Sequence, residues 1–223
     1  MTNAADLTPR TALLAGASGL IGAALLALLR DNPRYCHTHV LLRRTLPGLV
    51  ADASVTPHVI DFGALPALPA VDDVFIALGT TINVAGSQEA FRRVDFDHVV
   101  ATARAARAAG ARRLAVVSAL GADPKSTVFY NRVKGDMQAA IVQLGFESVV
   151  IAQPSLLIGD RSSLGQPTRN AEVWITRLLS PVMTLVPRGV RPITAQRVAS
   201  ALLAATLAAK PGVTLLSSGD MQT

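Results

Sequence analysis

The sequence predicts an α/β protein with a doubly wound parallel sheet, and two observations carry this prediction. Short apolar runs alternate with helix-like stretches from Thr11 to about Ser155, as in repeated strand–helix–strand units whose parallel strands are covered on both faces. Three glycines, Gly16, Gly19 and Gly22, lie between the first apolar run and the first helical stretch. The length of 223 residues accommodates one domain with a small appendage.

The predicted strands are short and largely apolar, as expected of buried central strands. In chain order they span residues 12–15, 39–42, 58–60, 74–78, 114–118 and 148–152. Three helices are predicted between them, at about residues 20–30, 87–109 and 127–144. The last two helices are followed by Gly110 and Gly145, and glycine is favoured directly after a helix.

The chain changes character after Ser155, where polar, apolar and proline-bounded segments follow one another without a clear period. We expect a small, irregular C-terminal cap at about 159–193, within a single domain that spans 1–223. A final helix near 194–209 and a terminal strand near 213–216 are expected to return the chain to the sheet.

Composition indicates an ordinary globular protein. Half of the residues are hydrophobic and 16% are charged, which excludes a disordered chain. The single cysteine, Cys36, excludes an internal disulfide and a metal site built on clustered cysteines, so no metal is expected. Because nothing indicates an oxidising compartment, we expect a cytoplasmic protein.

The net charge of +6 and the isoelectric point near 10.4 raise the question of nucleic-acid binding. Basic residues are not clustered beyond doublets and only 4% of the residues are aromatic, so we expect no nucleic-acid partner. The uncharged stretch from Thr11 to Leu29 is long enough for a membrane-spanning helix. Because it contains the three spaced glycines, we interpret it as strand, turn and buried helix, and expect no membrane partner.

The glycine spacing has a mechanical explanation in a strand–turn–helix setting. Gly16 permits a tight turn, Gly19 lets the backbone approach a pyrophosphate, and Gly22 lets the helix pack closely on its strand. The helix N-terminus directs free N–H groups at the phosphates. A merely structural turn is the alternative. The pattern predicts a dinucleotide-binding segment that comprises Gly16, Ala17, Ser18, Gly19, Leu20, Ile21 and Gly22.

The residues after the second strand indicate which dinucleotide is bound. An acidic side chain usually follows that strand in NAD-selective proteins, whereas Arg43 and Arg44 follow it here. A guanidinium pairs well with a 2′-phosphate, so NADP(H) is the predicted cofactor, with NAD(H) as the alternative. Residues at the carboxyl ends of the third and fourth strands are expected to line the adenine and ribose crevice: Asp61, Phe62, Leu78, Gly79, Thr80 and Thr81.

A candidate catalytic group follows the fifth strand. Ser118 ends that strand, and Tyr130 and Lys134 lie four residues apart on the following helix, hence on one face. The ammonium favours the phenolate and can bind nicotinamide ribose hydroxyls, so Tyr130 is the predicted proton donor or acceptor. Ser118 is predicted to hydrogen-bond the substrate oxygen. A tyrosine and a lysine at this spacing also occur by chance, on a helix that needs surface charge.

The four histidines, His37, His39, His58 and His98, suggest no competing catalytic arrangement. His98 lies within a predicted helix without a serine nucleophile beside it, and the other three lie on or next to predicted strands. We interpret all four as structural.

Longer strings carry a resemblance to a known family. Residues 73–81, 86–95, 117–123 and 129–135, together with the glycine turn, resemble the atypical short-chain dehydrogenase/reductase superfamily. Within that superfamily they are similar to the Tat-interacting-protein-like group. The resemblance covers nearly the whole chain, and it implies a Rossmann fold that forms one NAD(P)-binding domain with its cap on the substrate side.

The resemblance also implies roles for particular residues. NADPH binding is implied for the glycine turn and the arginines after the second strand, and catalysis for Ser118, Tyr130 and Lys134. Two departures from the group are Gln153, where relatives often have arginine, and the absence of an acidic residue before Val198. Both concern substrate contacts more than cofactor binding. The segment implied to close over the nicotinamide consists of Pro154, Ser155, Leu156 and Leu157.

We therefore expect an NADPH-binding oxidoreductase that transfers hydride to or from a carbonyl or alcohol of a small-molecule substrate, with Tyr130 as acid/base. Two alternatives stay open. A nucleotide-sugar epimerase or dehydratase would use the same residues with a tightly held cofactor, whereas a non-catalytic regulator would sense NADPH through a conformational change and would not need Tyr130. A monomer and a homodimer are equally compatible with the sequence.

Overall fold

The computed structural model describes residues 8–158 and 188–222. Its strands are β1 (Arg10–Ala15), β2 (Tyr35–Leu42), β3 (Val55–Val59), β4 (Asp73–Ile76), β5 (Arg113–Val117), β6 (Ser148–Gln153), β7 (Leu157–Ile158), β8 (Ile193–Thr194) and β9 (Gly212–Ser217). Its α-helices are α1 (Leu20–Asp31), α2 (Ile82–Ala85), α3 (Gln88–Arg92), α4 (Val99–Ala108), α5 (Phe129–Val142) and α6 (Ala195–Ala208). A π-helical turn (Arg93–His98) joins α3 to α4.

The main sheet has the strand order β3-β2-β1-β4-β5-β6-β9, and all its pairings are parallel. The chain builds outward from β1 to β3, then returns to place β4 on the other side of β1. The carboxyl ends of β1 and β4 therefore flank a crevice, which is the usual ligand position in doubly wound sheets. This topology confirms the predicted fold class. Strands β7 and β8 form a separate short ribbon.

Helices cover both faces of the sheet through two apolar clusters. The first cluster includes α1 and α6, and the second includes α4 and α5. Leu25 and Leu29 of α1 are buried in the first cluster, and Met137 and Ile141 of α5 in the second. Each pair is spaced four residues apart and so lies on one helix face. Burial of each such side chain stabilises the fold by roughly 1.5–3 kcal/mol relative to an exposed position.

The predicted strands and helices are present, and two of them differ from expectation in character. β3 begins earlier than predicted, at Val55, and is an edge strand instead of a central one. Val59 is 57% exposed, and the strand contains Pro57, which an edge tolerates because proline donates no hydrogen bond to a ladder. The long helix predicted at 87–109 becomes π-helical over Arg93–His98.

Two further expectations concern the cap and the uncharged stretch. Residues 159–187, most of the predicted cap, lie outside the described residues. The uncharged stretch from Thr11 to Leu29 divides into β1, the glycine turn and α1. Over 8–158 and 188–222, no helix combines the length and the apolar character needed to cross a bilayer.

Candidate functional site

The glycine turn connects β1 to α1 and requires glycine at two of its three positions. Gly16 has a φ of +98°, and a Cβ there would lie 2.5 Å from the carbonyl carbon and oxygen of Ala77. The sequence suggested that Gly22 packs on the strand, but it packs on the turn itself, since its Cβ would lie 2.0 Å from the Gly16 oxygen. A Cβ on Gly19 would lie 3.5 Å from the same oxygen, an ordinary contact. Packing within the described residues therefore does not explain the third glycine.

The first turn of α1 contains no acidic residue of its own. Gly19 is its N-cap residue, forms no side-chain cap, and is followed by no acidic residue in the first turn. The partial positive charge of the helix N-terminus is therefore available to an anion such as a pyrophosphate. Of the other predicted turn residues, Ser18 is exposed, Leu20 is partly buried, and Ala17 and Ile21 are buried.

The residues predicted to contact the adenosine end lie beyond β2 and β3. Arg43, Arg44 and Asp61 are exposed, whereas Phe62 is buried and its ring stacks on His98, with 5.8 Å between the centroids. Burial lowers the pKa of His98; the carboxylates of Asp97 and Asp61 oppose this shift, and the positive charges of Arg93 and Arg43 add to it. The ring contact places His98 beside Phe62. The sequence did not predict this contact.

The end of β4 lies between the glycine turn and α5. Ala77 contacts Gly16 on one side, as described above. Two residues further on, a Cβ at Gly79 would lie 3.9 Å from the Lys134 Nζ atom. The predicted cofactor turn and the predicted catalytic lysine thus meet the same short segment at the carboxyl edge of the sheet.

Two other predicted residues after β4 form hydrogen bonds, Thr80 with a buried carboxylate and Thr81 with the first turn of α2. Leu78 and Thr80 are partly buried. The Thr80 N–H donates a hydrogen bond to Oδ2 of Asp95 at 2.8 Å. Thr81 is the N-cap of α2, and its hydroxyl accepts a hydrogen bond from the Val84 N–H at 3.3 Å. Hydrogen bonds at Thr80 and at Thr81 therefore hold this segment.

The predicted catalytic residues are held by three different neighbours. Lys134 Nζ lies 2.7 Å from Oδ1 of Asp95. Ser118 is buried, and its hydroxyl oxygen accepts a hydrogen bond from the side-chain amide of Gln138. The Tyr130 ring packs on Phe91, with 5.3 Å between the centroids.

The structure brings these three residues to one edge without joining them directly. Ser118 follows the last residue of β5, and Tyr130 and Lys134 lie on the first turns of α5. Within 8–158 and 188–222, no hydrogen bond links any two of the three, and none reaches the Tyr130 hydroxyl. The Tyr130 phenol, which no described residue hydrogen-bonds, can therefore take a hydrogen-bond partner at this edge.

The segment predicted to close over the nicotinamide leads from β6 to β7. Pro154 is buried, and the Ser155 hydroxyl donates a hydrogen bond to the Arg191 carbonyl. Leu156 is 40% exposed, and Leu157 begins β7. The segment is thus tied to the chain near β8, at the carboxyl edge of β6.

Sequence reasoning missed three residues that shape this region: Asp95, Gln138 and Gly135. A Cβ at Gly135 would lie 2.2 Å from the carbonyl carbon of Asp123, so glycine lets α5 pack against the loop that follows β5. Helical spacing signals Gln138, because it lies four residues beyond Lys134 on the same face. Asp95 carries no such signal, since its position depends on the π-helical turn.

Curated relatives resemble this chain, although no family model matches it. The chain is 36% identical to the protein FMP52, mitochondrial, of Eremothecium gossypii over 153 residues, which cover 68% of each chain. It is 33% identical to the protein HTATIP2 of Rattus norvegicus over 173 residues, which cover 75% of this chain and 69% of the relative.

Solved structures share the fold at low sequence identity. A structure described as MoeE5 in complex with UDP-glucose and NAD has a TM-score of 0.69 and 18% identity, covering 93% of this chain and 75% of that one. An oxidoreductase of the short chain dehydrogenase/reductase family from Burkholderia thailandensis has a TM-score of 0.63 and 18% identity, covering 96% and 93%. These similarities confirm the Rossmann-type α/β fold.

The names of the relatives correct the expected location. The FMP52 proteins of Eremothecium gossypii, Coccidioides immitis, Emericella nidulans and Candida albicans are all named mitochondrial. The expectation of a cytoplasmic protein is therefore wrong. It rested on the single cysteine, which argues against an oxidising compartment but does not separate one reducing compartment from another.

The relatives also identify the family to which this chain belongs. The two matches described above extend over two thirds or more of both chains. They agree with the resemblance carried by the glycine turn and by residues 73–81, 86–95, 117–123 and 129–135. The chain therefore belongs to the family of the FMP52 and HTATIP2 proteins, the Tat-interacting-protein-like group of the atypical short-chain dehydrogenase/reductase superfamily.

Proposed function

We propose that this protein is an NADP(H)-dependent oxidoreductase that reduces a carbonyl group, or oxidises the matching alcohol, on a small-molecule substrate. The observation that carries the proposal is the continuity of the site along the end of β4. Ala77 contacts the glycine turn at Gly16, and Gly79 lies beside Lys134. At about 3.3 Å per residue of extended chain, the two contacts are less than 10 Å apart. A dinucleotide on the turn would therefore extend to the lysine.

The residues along this path suit the parts of NADP(H). The N-terminus of α1 offers uncompensated N–H groups to the pyrophosphate, and Gly19 lets it approach. Arg43 and Arg44 are exposed cations directly after β2, where a 2′-phosphate would lie. Asp61 and Phe62 would border the adenine. The bound nicotinamide would supply or accept the hydride.

The remaining chemistry falls to the residues of the chain. The Tyr130 hydroxyl, which no described residue hydrogen-bonds, would give a proton to the substrate oxygen or take one from it. Lys134 would bind the nicotinamide ribose hydroxyls and favour the phenolate one helical turn away. The Ser118 oxygen already accepts a hydrogen bond from Gln138, so its own proton is free for donation to a carbonyl oxygen. Because the Ser118 hydroxyl is left as a donor, a substrate carbonyl oxygen, which only accepts hydrogen bonds, is the favoured group beside it.

Cofactor preference is tested by fluorescence titration of the native protein and the Arg43→Ala variant with NADPH and NADH. NADPH should bind more tightly than NADH, and Arg43→Ala should weaken NADPH binding about tenfold, as expected for one charge-assisted hydrogen bond. Arg112→Ala is the matched control, because Arg112, directly before β5 at the opposite edge of the sheet, is also exposed but pairs with Glu147. Equal binding of the two nucleotides, or preference for NADH, would exclude the proposed cofactor.

The reaction is tested with Tyr130→Phe against a panel of aldehydes and ketones. Turnover should fall about a hundredfold or more, while NADPH affinity stays nearly unchanged, because only the proton transfer is lost. Turnover that needs no added cofactor, in a protein that copurifies with nucleotide, would favour an epimerase or dehydratase instead. Tight NADPH binding without turnover of any substrate would favour a sensor.

A further inference from the structure

The carbonyl oxygen of Arg191 links three parts of the chain that are distant in sequence. It accepts a hydrogen bond from the Ser155 hydroxyl and a second one, at 3.1 Å, from the side-chain amide of Gln222. Ser155 follows β6, Arg191 precedes β8, and Gln222 ends a short 3₁₀-helix (Asp220–Gln222) that follows β9. Residues 218–222 are called the post-β9 turn below.

Ser218, the first residue of the post-β9 turn, completes this group of hydrogen bonds. Its Oγ atom lies 2.8 Å from the Ser155 Oγ atom and 3.4 Å from the Arg191 carbonyl oxygen. A serine hydroxyl carries a single proton. Because Ser155 donates its proton to Arg191, Ser218 is the donor between the two serines. We call Ser155, Arg191, Ser218 and Gln222 the Arg191 cluster.

The cluster is shielded well enough from water for its hydrogen bonds to define a position. Ser218 is fully buried, and Ser155, Arg191 and Gln222 are half-buried. A polar group in such a place costs free energy when it loses its partner, because water does not readily replace it. The bonds therefore favour one placement of Ser155 relative to the post-β9 turn.

The post-β9 turn has anchors of its own, which do not involve Ser155. The Asp220 Oδ2 atom accepts hydrogen bonds from the Ser217 N–H at 2.8 Å and from the Ser217 hydroxyl at 2.6 Å. Arg197 on α6 donates a hydrogen bond to the Gln222 carbonyl at 3.3 Å. Met221 is buried in the apolar cluster that includes α1 and α6. The turn is thus fixed to β9 and α6, and it can serve as a support for another segment.

The segment that this turn supports is the one predicted to close over the nicotinamide. Its backbone is held on either side of Ser155, because the Leu120 N–H donates to the Pro154 carbonyl and the Ile193 N–H donates to the Leu156 carbonyl, both at 2.9 Å. Ser155 itself, at the centre of the segment, is held through its side chain. The centre of the segment therefore takes its position from the Arg191 cluster.

The register of the sheet places the cluster at the edge where the candidate site lies. Gln153 and Ser217, the last residues of β6 and β9, pair with each other, and Ser155 and Ser218 follow them at the carboxyl ends of these neighbouring strands. Ser118 follows β5, on the other side of β6. Neighbouring strands are about 5 Å apart. The cluster is therefore about one strand away from the predicted catalytic serine.

We propose that Ser218 and Gln222 are positioning residues, which hold residues 154–157 through Ser155 and the Arg191 carbonyl in the place that a bound nicotinamide requires. The inference rests on the proposed function, because that function assigns this segment to the nicotinamide. Ser218 and Gln222 touch neither cofactor nor substrate. They act on the orientation of the nicotinamide, whereas the predicted contacts of the pyrophosphate and the 2′-phosphate follow β1 and β2, on the far side of the sheet.

The first test compares catalysis with cofactor affinity in Ser218→Ala and Gln222→Leu. The substrate is the aldehyde or ketone of the panel that the native protein reduces fastest. We expect kcat to fall about tenfold in each variant, while the NADPH dissociation constant changes less than about threefold, because only the placement of the reacting ring is disturbed. Native kcat in both variants would overturn the proposal.

Two residues on α6 provide matched controls for this test. Ser200 and Gln196 are both exposed there, so Ser200→Ala and Gln196→Leu make the same chemical changes away from the cluster. Both controls should keep native kcat and native NADPH affinity. Because Gln222 is only half-buried, Gln222→Leu remains informative if Ser218→Ala does not fold.

A double-variant cycle tests the route through Ser155. If Ser218 acts through the Ser155 hydroxyl, Ser155→Ala/Ser218→Ala should lose no more kcat than Ser155→Ala alone, because the second change removes a partner that is already without effect. Additive losses in kcat would overturn this route.

Amide hydrogen exchange provides a readout that needs no nucleotide. In Ser218→Ala, residues 155–158 should exchange several-fold faster than in the native protein, while residues 10–15 of β1 keep their native rates. Unchanged exchange at 155–158 would refute the positioning role of Ser218. Absence of NADPH binding in the native protein would instead refute the proposed function, so the two failures are distinguishable.

Discussion

The side-chain amide of Gln138 donates a hydrogen bond to the Ser118 hydroxyl, with 2.5 Å between Nε2 and Oγ. Gln153 in turn donates to the Gln138 Oε1 atom at 3.2 Å. Gln138 lies four residues beyond Lys134, which lies four residues beyond Tyr130, so one face of α5 carries all three. The residue at which this chain departs from its group, Gln153, thus supports the predicted catalytic serine through one intermediate side chain.

Replacement of Gln138 tests whether the amide orients Ser118. In Gln138→Leu the hydroxyl loses its donor and can turn its proton away from the substrate, so kcat/KM for a carbonyl substrate should fall about tenfold. NADPH affinity should change little, because the side chains that Gln138 bonds, Ser118 and Gln153, are not among the predicted cofactor contacts. Gln143→Leu, at an exposed position at the end of the same helix, is the control. Equal losses in both variants would mean that the helix, and not the hydrogen bond, was disturbed.

Short-range patterns predicted most of the fold. The spaced glycines marked the turn between β1 and α1, and periodic apolar residues marked the helices that bury Leu25 and Met137. These features are local, because a turn or a helix face is specified by residues a few positions apart. The edge position of β3 was missed although Pro57 signals it, since proline is excluded from central strands.

The sequence predicted which residues lie at the candidate site, but it did not predict which side chains they contact. Ser118, Tyr130 and Lys134 do lie at one edge, but the groups that hold two of them, Gln138 and Asp95, were not identified. The ion pair between Asp95 and Lys134 depends on the packing of α5 against the π-helical turn. Neither the turn nor this packing follows from a local sequence period. Long-range pairs of this kind become visible only when the elements are placed in space.

Two of the turn glycines, Gly19 and Gly22, should respond differently to alanine. Gly22→Ala forces a Cβ to within 2.0 Å of the Gly16 oxygen and should destabilise or unfold the protein. Gly19→Ala has room within the fold, so its free energy of unfolding should stay native, while NADPH affinity falls about tenfold because the methyl group obstructs the pyrophosphate. Denaturation and fluorescence titration of both variants check this. Native NADPH affinity in Gly19→Ala would contradict a pyrophosphate at the turn.

Asp73 should matter for stability and not for the site, since it lies at the opposite edge of the sheet. Two guanidinium nitrogens of Arg10 bind its oxygens at 2.7 and 2.6 Å, and the Tyr35 hydroxyl donates to it at 2.8 Å. The side chain is fully buried, so Asp73→Asn leaves Arg10 without its counter-charge and should cost about 3 kcal/mol in the free energy of unfolding. Burial, followed by the charge of Asp73, raises the pKa of Tyr35 above its usual range.

Urea denaturation checks the Asp73 prediction, with Glu89→Gln as the control. Glu89 pairs with Arg93 on the helix surface, where both side chains are more than half exposed, so its loss should have little effect. NADPH affinity should be native in both variants. A weaker NADPH affinity of Asp73→Asn at a native free energy of unfolding would contradict this prediction, because it would link Asp73 to the site at the other edge of the sheet.

The protein should be less stable in mild acid, because three of its histidines have lowered pKa values in the folded state. Burial is the main cause that lowers the pKa of His39, His58 and His98. His39 Nδ1 and His58 Nε2 lie 3.0 Å apart across β2 and β3, so one ring donates a hydrogen bond and the other accepts it. When both rings are protonated, neither nitrogen can accept, and this bond is lost.

The sign of the pH dependence follows from proton binding. Below about pH 6.5 the unfolded chain takes up protons that the folded histidines resist, so the free energy of unfolding should fall as pH decreases, until the folded histidines are protonated as well. Urea denaturation between about pH 8 and 5 measures this slope. His58→Gln and His98→Gln should each make it shallower, whereas Asn83→Gln, at an exposed position on α2, should leave it native. Native slopes in both histidine variants would assign the acid sensitivity to carboxylates instead.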